Sequence, residues 1–172
     1  EGESSIFPMV DELTRRIKSD FDIPPAAVEG LEQDLKHVTT SSVEAYRYYA
    51  EGIHLHEQGK GEEAIPLFEK AIEIDPGFAM ALTKLAVIHG NLRHPAASKE
   101  YAEMALENLD RLTARERYYV EGVYYARDVR TTERSIEAYR KAIELYDDHN
   151  SARNNLASHL LGLGDYEEAI EH

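Results

Sequence analysis

Along most of this chain the apolar residues recur at three- and four-residue steps, the spacing of one helix face. Tyr46, Tyr49, Ile53 and His56, at steps of three, four and three, form one such stripe. The same rhythm, broken by short polar turns, predicts helices over 42–58, 62–74, 77–91, 96–109, 114–127 and 132–146. A further helix begins near His149, and a last one has only a few residues. The punctuation is specific. Gln58-Gly59-Lys60-Gly61, Arg93-His94-Pro95 and Gly162-Leu163-Gly164-Asp165 read as turns, and Asp75-Pro76 stops a helix because proline cannot continue it. Ser41 with Glu44 and Thr113 with Glu116 have the form of capping boxes, so helices are expected to start there. Before residue 39 the pattern differs: Ile6, Val10, Leu13 and Ile17 predict a helix over 8–20, and Pro24-Pro25 breaks it. Val28, Leu31 and Leu35 then predict a second helix over 26–36.

The helices come in pairs that repeat. Gly52 is followed at steps of 34, 36 and 35 by Ala86, Gly122 and Ala157. About twelve residues after each stands a second small residue, Ala64, Ser98, Ser135 and Ala169. Tyr48-Tyr49-Ala50-Glu51-Gly52 returns almost unchanged as Tyr118-Tyr119-Val120-Glu121-Gly122. A period near 34 made of two amphipathic helices predicts an all-α solenoid, in which stacked helix pairs bury a continuous core. Each repeat then offers an apolar face to the next. Tyr166, Ala169 and Ile170 begin such a face at the end of the chain, which predicts a longer array, the alternatives being a genuine end or self-association through this edge.

These residues resemble the tetratricopeptide repeat, which sets a large residue, a small one and another large one on its first helix, then small–aromatic–small on its second. Repeat one supplies Tyr48, Gly52, Leu55, Ala64, Phe68, Ala71 and Pro76; repeat three supplies Tyr118, Gly122, Tyr125, Ser135, Tyr139 and Ala142. The resemblance covers 42–172 and implies a right-handed solenoid with repeats at about 39–76, 77–111, 112–148 and a partial 149–172, preceded by an N-terminal helical segment over 1–38. One departure stands out. Where the family has leucine before the small residue, as Leu85 and Leu156 here, repeats one and three carry Glu51 and Glu121, which are expected to hydrogen-bond a tyrosine or arginine. Residues Ser5-Ile6-Phe7 through Leu13-Thr14-Arg15-Arg16-Ile17 also resemble the last helix of the TolB-like domain that accompanies such repeats in bacterial signalling proteins. That resemblance implies a docking or sensing arm of a larger regulator.

The family resemblance further implies that the first helices of successive repeats line a concave groove for a partner protein or peptide. Carrying the first stripe along by 34, 70 and 105 residues gives a partner groove of Tyr46, Tyr49, Ile53, Met80, Thr83, Val87, Tyr119, Val123 and Asn154. The groove reads as apolar and tyrosine-rich, polar only in its fourth repeat. The alternative is a structural spacer or regulatory arm whose groove is filled by residues 6–35 of the chain itself. Chaperone-tail binding is disfavoured, since of the lysines and asparagines that clamp a terminal carboxylate only Asn154 is present in the stripe.

Charge narrows the partners. The chain has 33 acidic against 19 basic residues, a formal net charge of −14, which repels phosphate backbones and anionic headgroups, so nucleic acid is not expected. No apolar run is long enough to span a bilayer, so no direct membrane insertion is expected, and a soluble domain fits cytoplasm or periplasm alike. There is no cysteine, hence no thiolate ligand or nucleophile. His54 and His56 are two apart and point to different helix faces, and no phosphate loop or nucleophile elbow is present. No enzyme activity, cofactor or metal is expected.

Overall fold

In the computed structural model the described residues are Thr40, 42–145 and 149–171, and among them the chain is helical throughout. Eight α-helices follow one another: α1 (Val43–Glu57), α2 (Gly61–Ile74), α3 (Ala79–Asn91), α4 (Pro95–Leu106), α5 (Ala114–Tyr125), α6 (Thr132–Leu145), α7 (Asn150–Leu163) and α8 (Tyr166–Glu171). Single 3-10 turns at Leu109–Arg111 and Val129–Thr131 precede α5 and α6. In the first three pairs each odd helix packs most closely on the even helix after it, α7 packs on both α6 and α8, and each pair packs on the next, which is the stacking of an α-solenoid.

Local chemistry explains the boundaries. Thr113 and Glu116 form the expected capping box at the start of α5: the Glu116 backbone N–H donates to Thr113 Oγ1, and the Thr113 N–H donates to Glu116 Oε2 at 3.0 Å. At α1 the cap is Ser42, whose Oγ accepts the Ala45 N–H at 3.2 Å. That places Ala45 rather than Glu44 three residues in, so no Ser41–Glu44 box caps this helix; Ser41 itself lies outside the described residues. Pro95 opens α4, where its missing N–H leaves no intrahelical bond unmade. Gly59 and Gly164 leave their helices at positive φ, 77° and 83°, while Arg93 takes the same place after α3 at 59°.

The small residues found by periodicity sit where paired helices cross. A side chain on Gly52 would meet the Phe68 ring, and one on Gly122 would meet the Tyr139 ring. Across the same seams Ser98 Oγ donates to the Ala86 carbonyl at 2.7 Å, and Ser135 Oγ to the Gly122 carbonyl at 2.8 Å. The core is continuous: Phe68, Phe78 and Leu85 bury together between the first two pairs, and Tyr119, Tyr139 and Leu156 between the last ones. A polar clasp adds to it. Arg111 places both Nη atoms on the Asp75 carboxylate at 2.9 and 2.7 Å, directly over Gly77, and so ties the end of repeat one to the end of repeat two.

Among the described residues Glu51 and Glu121 do not make the expected hydrogen bonds to a tyrosine or arginine. Leu85 and Leu156 at the equivalent places pack on the preceding pair and are fully buried. Glu51 belongs to the first described pair and is exposed, and Glu121 is half-buried. A carboxylate that keeps its water needs no buried partner.

Candidate functional site

The first helices of the four repeats face one another across a concave surface. Its main cavity, about 690 Å³, is walled by Tyr46, Tyr49 and Ile53 of α1, Met80 and Lys84 of α3, Glu116 and Tyr119 of α5, and His149, Asn150 and Ser151 at the start of α7. A second cavity of about 290 Å³ continues the face between Val87 of α3, Val123 and Arg127 at the end of α5, and Asn155 and Ser158 of α7. Among the described residues no helix is long and apolar enough to cross a membrane, and no group of three His, Asp or Glu is placed to hold a metal.

Aromatic packing makes the walls. Tyr46 stands outermost, 48% exposed, its ring 6.2 Å from that of Tyr49. Tyr49 is half-buried against Phe78 and Phe68 at 4.8 and 5.8 Å. Burial, reinforced by the neighbouring Tyr119 and Glu116, pushes the Tyr49 phenol above its ordinary value, so it stays neutral and can both donate and accept. Tyr119 is only 2% exposed, held between Tyr139 and His149 with ring centroids at 6.2 and 5.0 Å. At the far end Tyr139 is buried, its hydroxyl accepting from Asn155 Nδ2 at 3.1 Å, and its ring stacks on His159.

The nine residues named from the sequence are distributed unevenly. Tyr46, Tyr49, Ile53, Met80 and Tyr119 line the main cavity, and Val87 and Val123 line the second. Thr83 does not reach the groove: it is fully buried, and its hydroxyl turns back onto the Ala79 carbonyl at 2.7 Å. Asn154 is exposed and lines neither cavity, its place being taken by Asn155. In α3 the wall between Met80 and Val87, which keep their expected places, is made by Lys84 instead. That lysine was findable, since it is the one charge inside Ala79-Met80-Ala81-Leu82-Thr83-Lys84-Leu85-Ala86-Val87-Ile88. Residues 6–35, the segment that the alternative reading places in the groove, lie outside the described residues.

Comparison with known proteins agrees with this geometry. Two family models, each described as tetratricopeptide repeat, match residues 45–78 and 120–172. The chain carries tetratricopeptide repeats. Among solved structures it is similar to the first repeat domain of Spaghetti (RPAP3), bound there to the HSP90 peptide SRMEEVD; the identity is 21%, the TM-score 0.50, and the match covers 70% of this chain and 96% of that one. It is also similar to MamA of Desulfovibrio magneticus RS-1, at 21% identity and a TM-score of 0.45, over 100% of this chain and 92% of that one. No curated protein matches the chain. Nothing in these comparisons supports the TolB-like resemblance of the N-terminal segment or a bacterial signalling context, and that segment lies outside the described residues.

Proposed function

We propose that this chain is a protein–protein interaction module whose concave face holds a segment of a partner protein. The observation that carries this reading is the cavity of about 690 Å³, to which all four first helices contribute and whose walls set tyrosine, isoleucine and methionine beside charged and polar side chains. Tyrosines give a large contact area with a polar handle at small entropic cost, which suits recognition of a peptide. The similar repeat domain that is bound to a peptide supports the reading at the level of the fold. The groove residues are Tyr46, Tyr49, Ile53, Met80, Val87, Tyr119 and Val123, with Tyr46 and Ile53 the accessible contacts and Tyr119 and Val123 the buried floor.

The test is a photo-crosslinking residue installed in turn at Tyr46 and at Leu145. Both are 48% exposed, but Leu145 ends a second helix and lines neither groove cavity. A discrete partner captured at Tyr46 and not at Leu145 supports the groove. Equal capture at both places, or capture at Leu145 alone, refutes it.

A further inference from the structure

Among the described residues two cations on the concave face, Lys84 and Arg127, have no carboxylate paired to them. Lys84 is only 9% exposed although its side chain lines the main cavity, and the contact of its ammonium is the face of the Tyr119 ring, 5.5 Å from the centroid. Among the described residues no carboxylate lies within ion-pair distance of it. The two acids of the same cavity are otherwise placed: Glu116 Oε2 is held by the Thr113 hydroxyl and N–H, and Glu57 is exposed at the end of α1. Arg115 and His149 also line this cavity, and each has interactions of its own. The Lys84 charge is nevertheless felt, because with burial it holds the neighbouring His56 below its ordinary value.

Arg127 repeats the situation in the second cavity. Its guanidinium donates to the Ser98 carbonyl and the Ser98 hydroxyl, each at 3.0 Å, and to the Val123 carbonyl, all neutral acceptors. Three of its five N–H groups are thereby used and two are left, with no carboxylate paired to it among the described residues. A buried cation without a counter-charge is costly. In a chain with a formal charge of −14, one buried and one half-buried cation of this kind on one face are the reverse of what composition alone would place there.

We propose that the groove is selective for a partner segment that carries side-chain carboxylates among apolar residues, with Lys84 and Arg127 as the two positions that receive them. This rests on the concave face being the partner surface. Two cations in two successive cavities match two spaced acids on an extended segment, whereas a single terminal carboxylate would need its donors gathered at one point. The aromatic and aliphatic walls of Tyr46, Ile53 and Met80 then take the apolar residues between the acids. The neutral Tyr49 hydroxyl stands in the same cavity as Lys84 as a further donor.

The experiment is selection from a random peptide library displayed on phage through the peptides' C-termini, so that only side-chain carboxylates are offered. The full chain, Lys84→Met and the charge-keeping Lys84→Arg are panned in parallel, with melting curves confirming that each is folded. The expected result is enrichment of Asp and Glu beside apolar residues on the native chain and on Lys84→Arg, and its loss on Lys84→Met. A selected peptide, synthesised as the amide, should bind Lys84→Met about tenfold more weakly, the loss expected for a hydrogen bond to a charged group. Should Lys84→Met prove unfolded, the native selection alone decides: peptides enriched without acids, or with bases, overturn the inference while leaving the groove in place. If no peptide is enriched at all, both the groove and the inference fall.

Discussion

Gly122→Ala is the perturbation whose cost the structure sets most directly. A methyl group there would lie 2.5, 2.6 and 2.8 Å from three ring carbons of Tyr139, where carbon atoms prefer about 3.5–4.0 Å. The ring therefore has to retreat by about 1 Å. It has little room, since Tyr139 is 1% exposed, wedged between Tyr119 and His159, and its hydroxyl is held by Asn155. Overpacking of this kind costs about 1–3 kcal/mol. Replacing glycine by alanine within a helix returns about 1 kcal/mol. A net loss of up to about 2 kcal/mol is expected, a fall in melting temperature of up to roughly 8 °C for a chain of this size. Gly162→Ala is the control, because nothing lies within 4 Å of the added methyl and about 0.5–1 kcal/mol should be gained. Denaturant melts followed by circular dichroism measure both. In a Tyr139→Leu background the added methyl has space, so Gly122→Ala should lose most of its cost there. If Gly122→Ala is as harmless as Gly162→Ala, or if the two seam substitutions are additive, the helix crossing is not packed as described.

Three further outcomes follow from the same structure. Arg111 holds the Asp75 carboxyl below the usual carboxylate range, so the clasp stabilises the fold above about pH 4, where the unfolded carboxylate is ionised, and is lost as pH falls through the folded value; Asp75→Asn should cost about 1–2 kcal/mol near neutrality and nothing once both forms are protonated, and a pH-independent gap in urea melts would contradict this. Ser135→Ala removes one seam hydrogen bond and should cost about 1 kcal/mol, whereas Ser98→Ala also strips an acceptor from Arg127 and should cost more; equal losses in paired melts would count against Arg127 being anchored there. Arg93 adopts a positive φ that glycine tolerates better, so Arg93→Gly should stabilise by about 1 kcal/mol, and a loss of stability would show that its side chain, not its backbone, governs the turn.

The helices and their seams were legible in the sequence because they depend on local rules. Thr113 and Glu116 cap a helix by their spacing alone, and Gly52 and Gly122 mark crossings because a larger side chain would strike Phe68 and Tyr139. The groove was legible only in part, because a side chain's exposure depends on what the next repeat lays over it. Adding a constant offset assumes that every first helix presents the same face. In α3 Met80 and Val87 keep the expected face, but between them Thr83 is hidden and Lys84 presented. In α5 the following repeat brings His149 against Tyr119, which therefore lies at the floor of the cavity rather than at its rim. Glu51 misled for the opposite reason: the place where leucine packs in later repeats has no earlier described pair beneath it.

Whether the concave face is where this chain meets its partner is open to direct measurement. The most direct measurement is a methyl NMR titration of the chain with the segment that crosslinks at Tyr46. Binding in the groove should concentrate shifts on the methyl groups of Ile53, Met80 and Val87, with Ile72 and Leu145 on the second helices unmoved. Shifts at Ile72 and Leu145 with a silent Ile53 and Met80 would contradict it.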